Sequence, residues 1–190
     1  MVQESGKPQR ICVIGCGGTG KSTLARLLGD RMDLPVFHLD ALIWQAGWVL
    51  PSREDIIAAQ KGNSDGERWV IDGNWDSTMP VRLARADTII WLDYPTRTAL
   101  WGIMKRLAHW RGRGRPDMAE GCVERFDWEF LRWVVEFRSK HRQRIPEKIR
   151  EHGSHARLFQ ITRRSELPAV LDELLNAAST TLHEHPMRCA

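Results

Sequence analysis

The chain has 190 residues, 42% of them hydrophobic and 27% charged, with a net charge of +4. That is the composition of one soluble domain with a real core. No apolar run approaches membrane-spanning length, the N-terminus lacks the apolar segment of a signal peptide, and Cys12, Cys16, Cys122 and Cys189 form no Cys-x-x-Cys pair. A membrane span, a disulfide framework and a zinc site are thereby excluded, and a cytoplasmic protein with free thiols is expected.

Arg10 to Ile14 is a short apolar run suited to a buried parallel strand. It leads into Gly15-Cys16-Gly17-Gly18-Thr19-Gly20-Lys21-Ser22, which fits the phosphate-loop pattern Gly-x-x-x-x-Gly-Lys-Ser/Thr. The glycines let the backbone form a cradle of N–H groups around phosphate oxygens, contributed by Gly15, Gly17, Gly18, Thr19, Gly20, Lys21, Ser22 and Thr23. Lys21 is expected to reach the β- and γ-phosphates of ATP, and the Ser22 hydroxyl to hold Mg²⁺. From Ser22 the apolar spacing becomes helical, so a positive helix end faces the same phosphates. Cys16 lies inside the loop, where oxidation would block a nucleotide; a small tolerated side chain is the simpler reading.

Val36 to Leu39 reads as a second strand ending at Asp40, and Ser52 as the cap of a following helix with acids in its first turn. Trp69-Val70-Ile71 is a third strand ending at Asp72, and Thr88 to Leu92 a fourth ending at Asp93. Thr96 is expected to cap a helix running towards Arg111, which Gly112, Gly114 and Pro116 then break. Asp127 is expected to cap another, with Phe130, Leu131, Val134 and Val135 on one face. Arg157 to Ile161 is a fifth strand, and Ser165 starts a closing helix. The residues before the first strand and those from about 180 are expected to fray.

Strands alternating with helices predict an α/β fold: one domain spanning 1–190, a five-stranded parallel sheet with helices on both faces, and an arginine-rich lid at about 106–126. Ligands of such sheets sit at the carboxyl ends of the strands, where Asp40, Asp72 and Asp93 join the loop on one rim. Asp72 is the first candidate for holding Mg²⁺ through water, because Gly73-Asn74 permits close approach; Asp93 is the second. Asp40 has two readings, a base that takes or orients an acceptor hydroxyl proton and a strand-end cap. Trp44, Trp48 and Trp75 follow closely and either stack a flat acceptor or fill the core. Arg111, Arg113 and Arg115 belong to the Gly/Pro-broken segment, where a closing lid can bring them to a transferring phosphoryl group. Arg82 and Arg85 either hold a phosphate on the acceptor or are plain surface charges. Two stretches, 105–115 and 138–150, each carry +5, leaving −6 for the remainder.

Together the loop, His38-Leu39-Asp40, Asp72-Gly73-Asn74, Arg82 to Asp87 and Arg113 to Met118 resemble the adenylate-kinase-like phosphate-loop proteins. Within them the branch named for DNA topology modulation, FlaR-like, is the most similar, over about Ile11 to Ile161. The resemblance implies ATP and Mg²⁺ at Lys21 and Ser22, with Asp72 as the acid of the Asp-Gly motif. Arg106 falls near the first lid arginines, and Arg132 and Arg138 where the later ones occur. The chain departs from true adenylate kinases after Gly73: they continue with an aromatic residue, Pro and Arg, whereas Asn74-Trp75-Asp76 stands here.

These features point to a kinase that transfers the γ-phosphoryl group of ATP to a small molecule. Two other functions fit the same residues. One is a nucleic-acid-associated ATPase gripping a backbone with the two basic stretches, although no nucleic-acid-binding motif appears. The other is a nucleotide-binding regulator without transfer.

Overall fold

Five apolar runs become five strands, and the residues that end each run decide what stands on the rim. The computed structural model describes residues 7–180, which form β1 (Arg10–Gly15), α1 (Lys21–Met32), β2 (Val36–His38), α2 (Leu39–Ile43), α3 (Arg53–Ser64), β3 (Trp69–Asp72), α4 (Met79–Leu83), β4 (Thr88–Leu92), α5 (Thr96–Trp110), α6 (Trp128–Lys140), α7 (Ile145–His152), β5 (Arg157–Ile161) and α8 (Leu167–Thr180). The frayed ends expected before residue 7 and after residue 180 lie outside the described residues. No described helix is long and apolar enough to cross a membrane.

All strands run parallel in the order β2-β3-β1-β4-β5. Alternate residues of each strand serve opposite faces. Cys12, Ile14, Trp69, Ile71, Ile89 and Trp91 pack beneath α2 to α7. Ile11, Val13, Val70, Ile90 and Leu92 pack beneath α1 and α8. Each such side chain contributes about 1.5–3 kcal/mol by leaving water, which is why the short runs hold their register. From β1 the chain crosses to β2 and β3 on one side and returns to β4 on the other. The crevice this leaves at the carboxyl end of β1 is where Gly15 to Ser22 begins.

Two expected caps are present: Ser52 accepts from the Asp55 amide (3.1 Å) and Asp127 from the Phe130 amide (3.0 Å). Two starts differ. Pro95, not Thr96, occupies the cap position of α5 without a side-chain bond, its fixed φ leading the chain into the helix. Ser165 lies in a 3-10 turn, because the Glu166 carboxylate takes the amides of Thr162 and Arg163 and delays α8 to Leu167. Val135, expected on the apolar face, is 55% exposed: as the next residue after Val134 it is rotated off the Val134 and Phe137 face of α6.

One glycine contact positions everything that follows. Gly18 has φ +78°, and a Cβ at Gly102, in the middle of α5, would lie 1.9 Å from the Gly18 carbonyl oxygen. The glycine loop therefore rests directly on the α5 backbone. Gly102→Ala is expected to lower stability by about 1–3 kcal/mol, as overpacking does, and to shift the thermal midpoint accordingly. An unchanged midpoint would mean that the contact is slack.

Candidate active site

The loop between β1 and α1 is held open by its own interior bonds. The Thr19 hydroxyl and the Lys21 ammonium both donate to the Cys16 carbonyl, each at 2.8 Å. Thr19 is buried, so its side chain serves the loop and only its backbone can serve a ligand. Gly20, at φ +94°, has open space where a Cβ would stand. At the start of α1 no side chain caps the first amides and the first turn carries no acid, so those donors are free to meet an anion. Thr23 is exposed beside them. Cys16 is buried, and burial pushes its thiol up to about 11, which keeps it protonated and unreactive.

Parallel register places His38 beside Asp72. The His38 Nδ1 and Asp72 Oδ1 atoms are hydrogen-bonded, and the Ser22 hydroxyl donates to Asp72 Oδ2 at 2.8 Å. One hydroxyl and one carboxylate thus meet under the cradle, a donor set suited to a hard divalent cation that keeps most of its water. Asp93 stands on the same rim but is engaged. Arg142 reaches it with both Nε (2.7 Å) and Nη2 (2.5 Å), Gln160 Nε2 donates at 2.8 Å, and Arg138 lies 3.5 Å away. It is an ion-pair hub between β4, β5 and the residues after α6.

Asp40, expected at the end of the second strand, lies instead in the first turn of α2, two residues beyond the end of β2 at His38. Its Oδ1 accepts from Trp75 Nε1 at 3.0 Å. Burial raises the Asp40 carboxyl above the ordinary range, and the Asp72 charge adds to that; Lys21, the Trp75 N–H and Arg115 act the other way. Trp44 packs on Trp48 (centroids 5.5 Å apart) and on Trp75 (6.0 Å), so the three tryptophans form one partly buried wall beside Asp40.

The segment after α5 is not loose. Gly112 N donates to Glu124 O and Glu124 N to Arg113 O, and Gly114 bridges to Val123. Arg115 is 8% exposed and paired with Glu124 (3.0 Å) and Asp117 (3.4 Å); Arg106 Nε donates to the other Glu124 oxygen at 2.8 Å, and Arg26 on α1 lies 3.9 Å from Asp117. Arg115, expected on a closing lid, is accordingly part of the frame of this segment. Arg111 and Arg113 are exposed and, among the described residues, meet no acid. Arg132 is exposed and pairs with Glu136, while Arg138 also reaches the Tyr94 carbonyl at 3.2 Å.

Neither Arg82 nor Arg85 faces the rim. Arg82 is buried and donates to Gly73 O (3.0 Å) and Gln60 Oε1 (3.2 Å), bracing the turn after Asp72 from within. Arg85 pairs with Asp65 and Glu67 near the amino ends of the strands. Gly102 escaped the sequence reading, although a glycine inside a helix costs about 1 kcal/mol and signals a close approach. Glu124 escaped it because its partners Arg106 and Arg115 stand at no helical or strand spacing from it.

No protein-family model matches the chain, and no curated protein matches it in sequence. Solved structures do match. Shikimate kinase from Acinetobacter baumannii, in complex with shikimate, has a TM-score of 0.53 at 14% identity, covering 88% of this chain and 93% of that one. A gluconokinase from Sinorhizobium meliloti 1021 has 0.51 at 15% identity, covering 95% and 99%. Shikimate kinase from Bacteroides thetaiotaomicron has 0.50 at 16% identity, covering 89% and 97%. At such identities the likeness is one of fold. The chain has the phosphate-loop kinase fold, with its five-stranded parallel sheet flanked by helices.

Proposed function

We propose that this protein is an ATP-dependent phosphotransferase acting on a small-molecule acceptor. The observation that carries the reading is the meeting of the glycine cradle, the Ser22–Asp72 pair and Asp40 at one strand rim. The backbone amides from Gly15 to Thr23 and the Lys21 ammonium would hold the triphosphate. Ser22 and Asp72 would hold Mg²⁺, which neutralises charge on phosphate oxygens when bound. Asp40 would accept or orient the proton of the attacking group. Arg111 and Arg113, uncommitted on the lid, can approach the transferring group. The named activities of the structural neighbours, on shikimate and on gluconate, belong to the same reaction class. We read the chain as a relative of the FlaR-like branch on its loop and its Asp72-Gly73 turn.

The nucleic-acid reading is less well supported, because the basic stretch 138–150 is largely spent. Arg138 and Arg142 face Asp93, Lys140 faces Glu136, Arg144 and Lys148 face Asp76, and Arg150 faces Glu147.

Calorimetry with ATP and magnesium, followed by transfer from γ-labelled ATP, tests the proposal; absence of nucleotide uptake would end it. Asp40 adds a pH signature. Its deprotonated form is the active one, so kcat should rise with pH through a value above the ordinary carboxylate range, because burial favours the protonated acid. Asp40→Asn should lower kcat by about 10²–10⁴-fold and abolish that limb while leaving ATP affinity unchanged. A variant that kept the limb would assign it to another group.

A further inference from the structure

Resting on the phosphotransferase reading, we infer that the acceptor is a neutral, hydroxyl-bearing molecule with a flat or apolar face, held against the Trp44–Trp75 wall with its hydroxyl at Asp40.

The inference comes from what stands around Asp40. Lys21 and Arg115 carry charges that act on Asp40. Lys21 belongs to the phosphate loop, and Arg115 is held by Asp117 and Glu124. On the far side of Trp75, Asp76 takes Lys148 at 2.7 Å and Arg144 at 3.9 Å. Arg82, beneath the same turn, is buried on Gly73 and Gln60. Arg125 lies over the Trp48 ring, 5.9 Å from its centroid, exposed and facing no carboxylate. A phosphate or carboxylate on the acceptor would therefore add negative charge beside Asp40, where the cations named above, Arg125 apart, are already matched to an acid or a carbonyl; Arg111 and Arg113, on the segment after α5, are left to the transferring phosphoryl group. Like charges at such range repel, and the penalty grows where water is excluded.

A neutral acceptor meets no such penalty. Indole faces bind flat rings and the C–H faces of sugars by apolar contact. The Trp75 N–H fixes Asp40 through Oδ1, and Oδ2 has no hydrogen bond among the described residues. In the reaction the acceptor oxygen forms its bond to the γ-phosphorus as the bond from that phosphorus to the β–γ bridging oxygen breaks. ADP leaves with that electron pair, and the hydroxyl proton passes to Asp40 Oδ2.

The experiment uses the full chain with magnesium and labelled ATP against matched acceptors: nucleosides and nucleoside monophosphates, neutral polyols and sugars, sugar phosphates and sugar acids. Transfer should favour a neutral member over its charged counterpart by more than tenfold in kcat/KM; the nucleoside and sugar arms tell which flat face is used. Trp44→Ala should raise the acceptor KM more than tenfold and Trp44→Phe should restore it, with ATP affinity constant in both as the control for folding. Arg125→Ala should leave the acceptor KM within threefold. Equal or better transfer to a phosphorylated or carboxylated acceptor, or a large KM increase in Arg125→Ala, overturns the inference. ATP uptake without transfer to any neutral compound also overturns it while the nucleotide site stands. Failure of ATP uptake falls instead on the phosphotransferase reading.

Discussion

Replacing Lys21 by alanine should cut phosphoryl transfer by about 10²–10³-fold, the cost of deleting one preorganised charged donor at a site of developing charge. The fold should hardly notice. Among the described residues Lys21 bonds only the Cys16 carbonyl, and the Thr19 hydroxyl donates to that same oxygen at 2.8 Å. The acceptor stays satisfied when the ammonium is gone, so the stability loss should remain near about 1 kcal/mol. Single-turnover kinetics beside a thermal melt separate the two effects. A variant with wild-type turnover would remove the loop from the chemistry. Lys21→Arg is expected to fail as well, since a planar guanidinium does not replace a compact point charge on a flexible stem.

The largest structural loss should come from Glu124. It is 2% exposed, and its two oxygens face Arg106 at 2.8 Å and Arg115 at 3.0 Å. Glu124→Ala leaves two guanidinium groups in a dry setting, with Asp117 as the remaining acid near them among the described residues. Breaking a buried pair in this way costs about 3–5 kcal/mol. For a chain of this size the melting point should fall by about 10 °C. Adding Arg106→Met removes one of the stranded charges and should recover part of the loss. Denaturation of the single and double variants checks both statements, and a midpoint unmoved by Glu124→Ala would mean that water already reaches the pair.

The strands were legible because each is an unbroken apolar run with polar punctuation, and a parallel sheet covered on both faces demands that pattern. The loop was legible because its chemistry fixes residue types at fixed spacing. The glycine after Asp72 favours it over Asp93, and the fold adds a second distinction that spacing does not carry: the charge of Asp93 is met by residues 45 and 49 positions away. Such partners cannot be read from spacing. The same limit hid the order of the segment after α5. Gly112, Gly114 and Pro116 look like breaks in the chain, yet Glu124 closes the segment by main-chain bonds on both sides and by two ion pairs. Arg82 misled for a related reason, since only the fold reveals that its guanidinium turns inward to a carbonyl.

The turn that carries Trp48 is fastened to the segment 121–123: Gly47 N donates to Gly121 O at 3.2 Å, Trp48 Nε1 to Val123 O at 3.1 Å, and Cys122 Sγ to Gln45 O at 3.2 Å. A Cβ at Gly121 would stand 2.8 Å from Ala46. The cluster of Trp44, Trp48 and Trp75 is thus fixed from behind by a segment some 75 residues further along the chain. Swaps confined to 119–123, which spare Glu124 and its ion pairs, should repack Trp48 while leaving the strand rim in place.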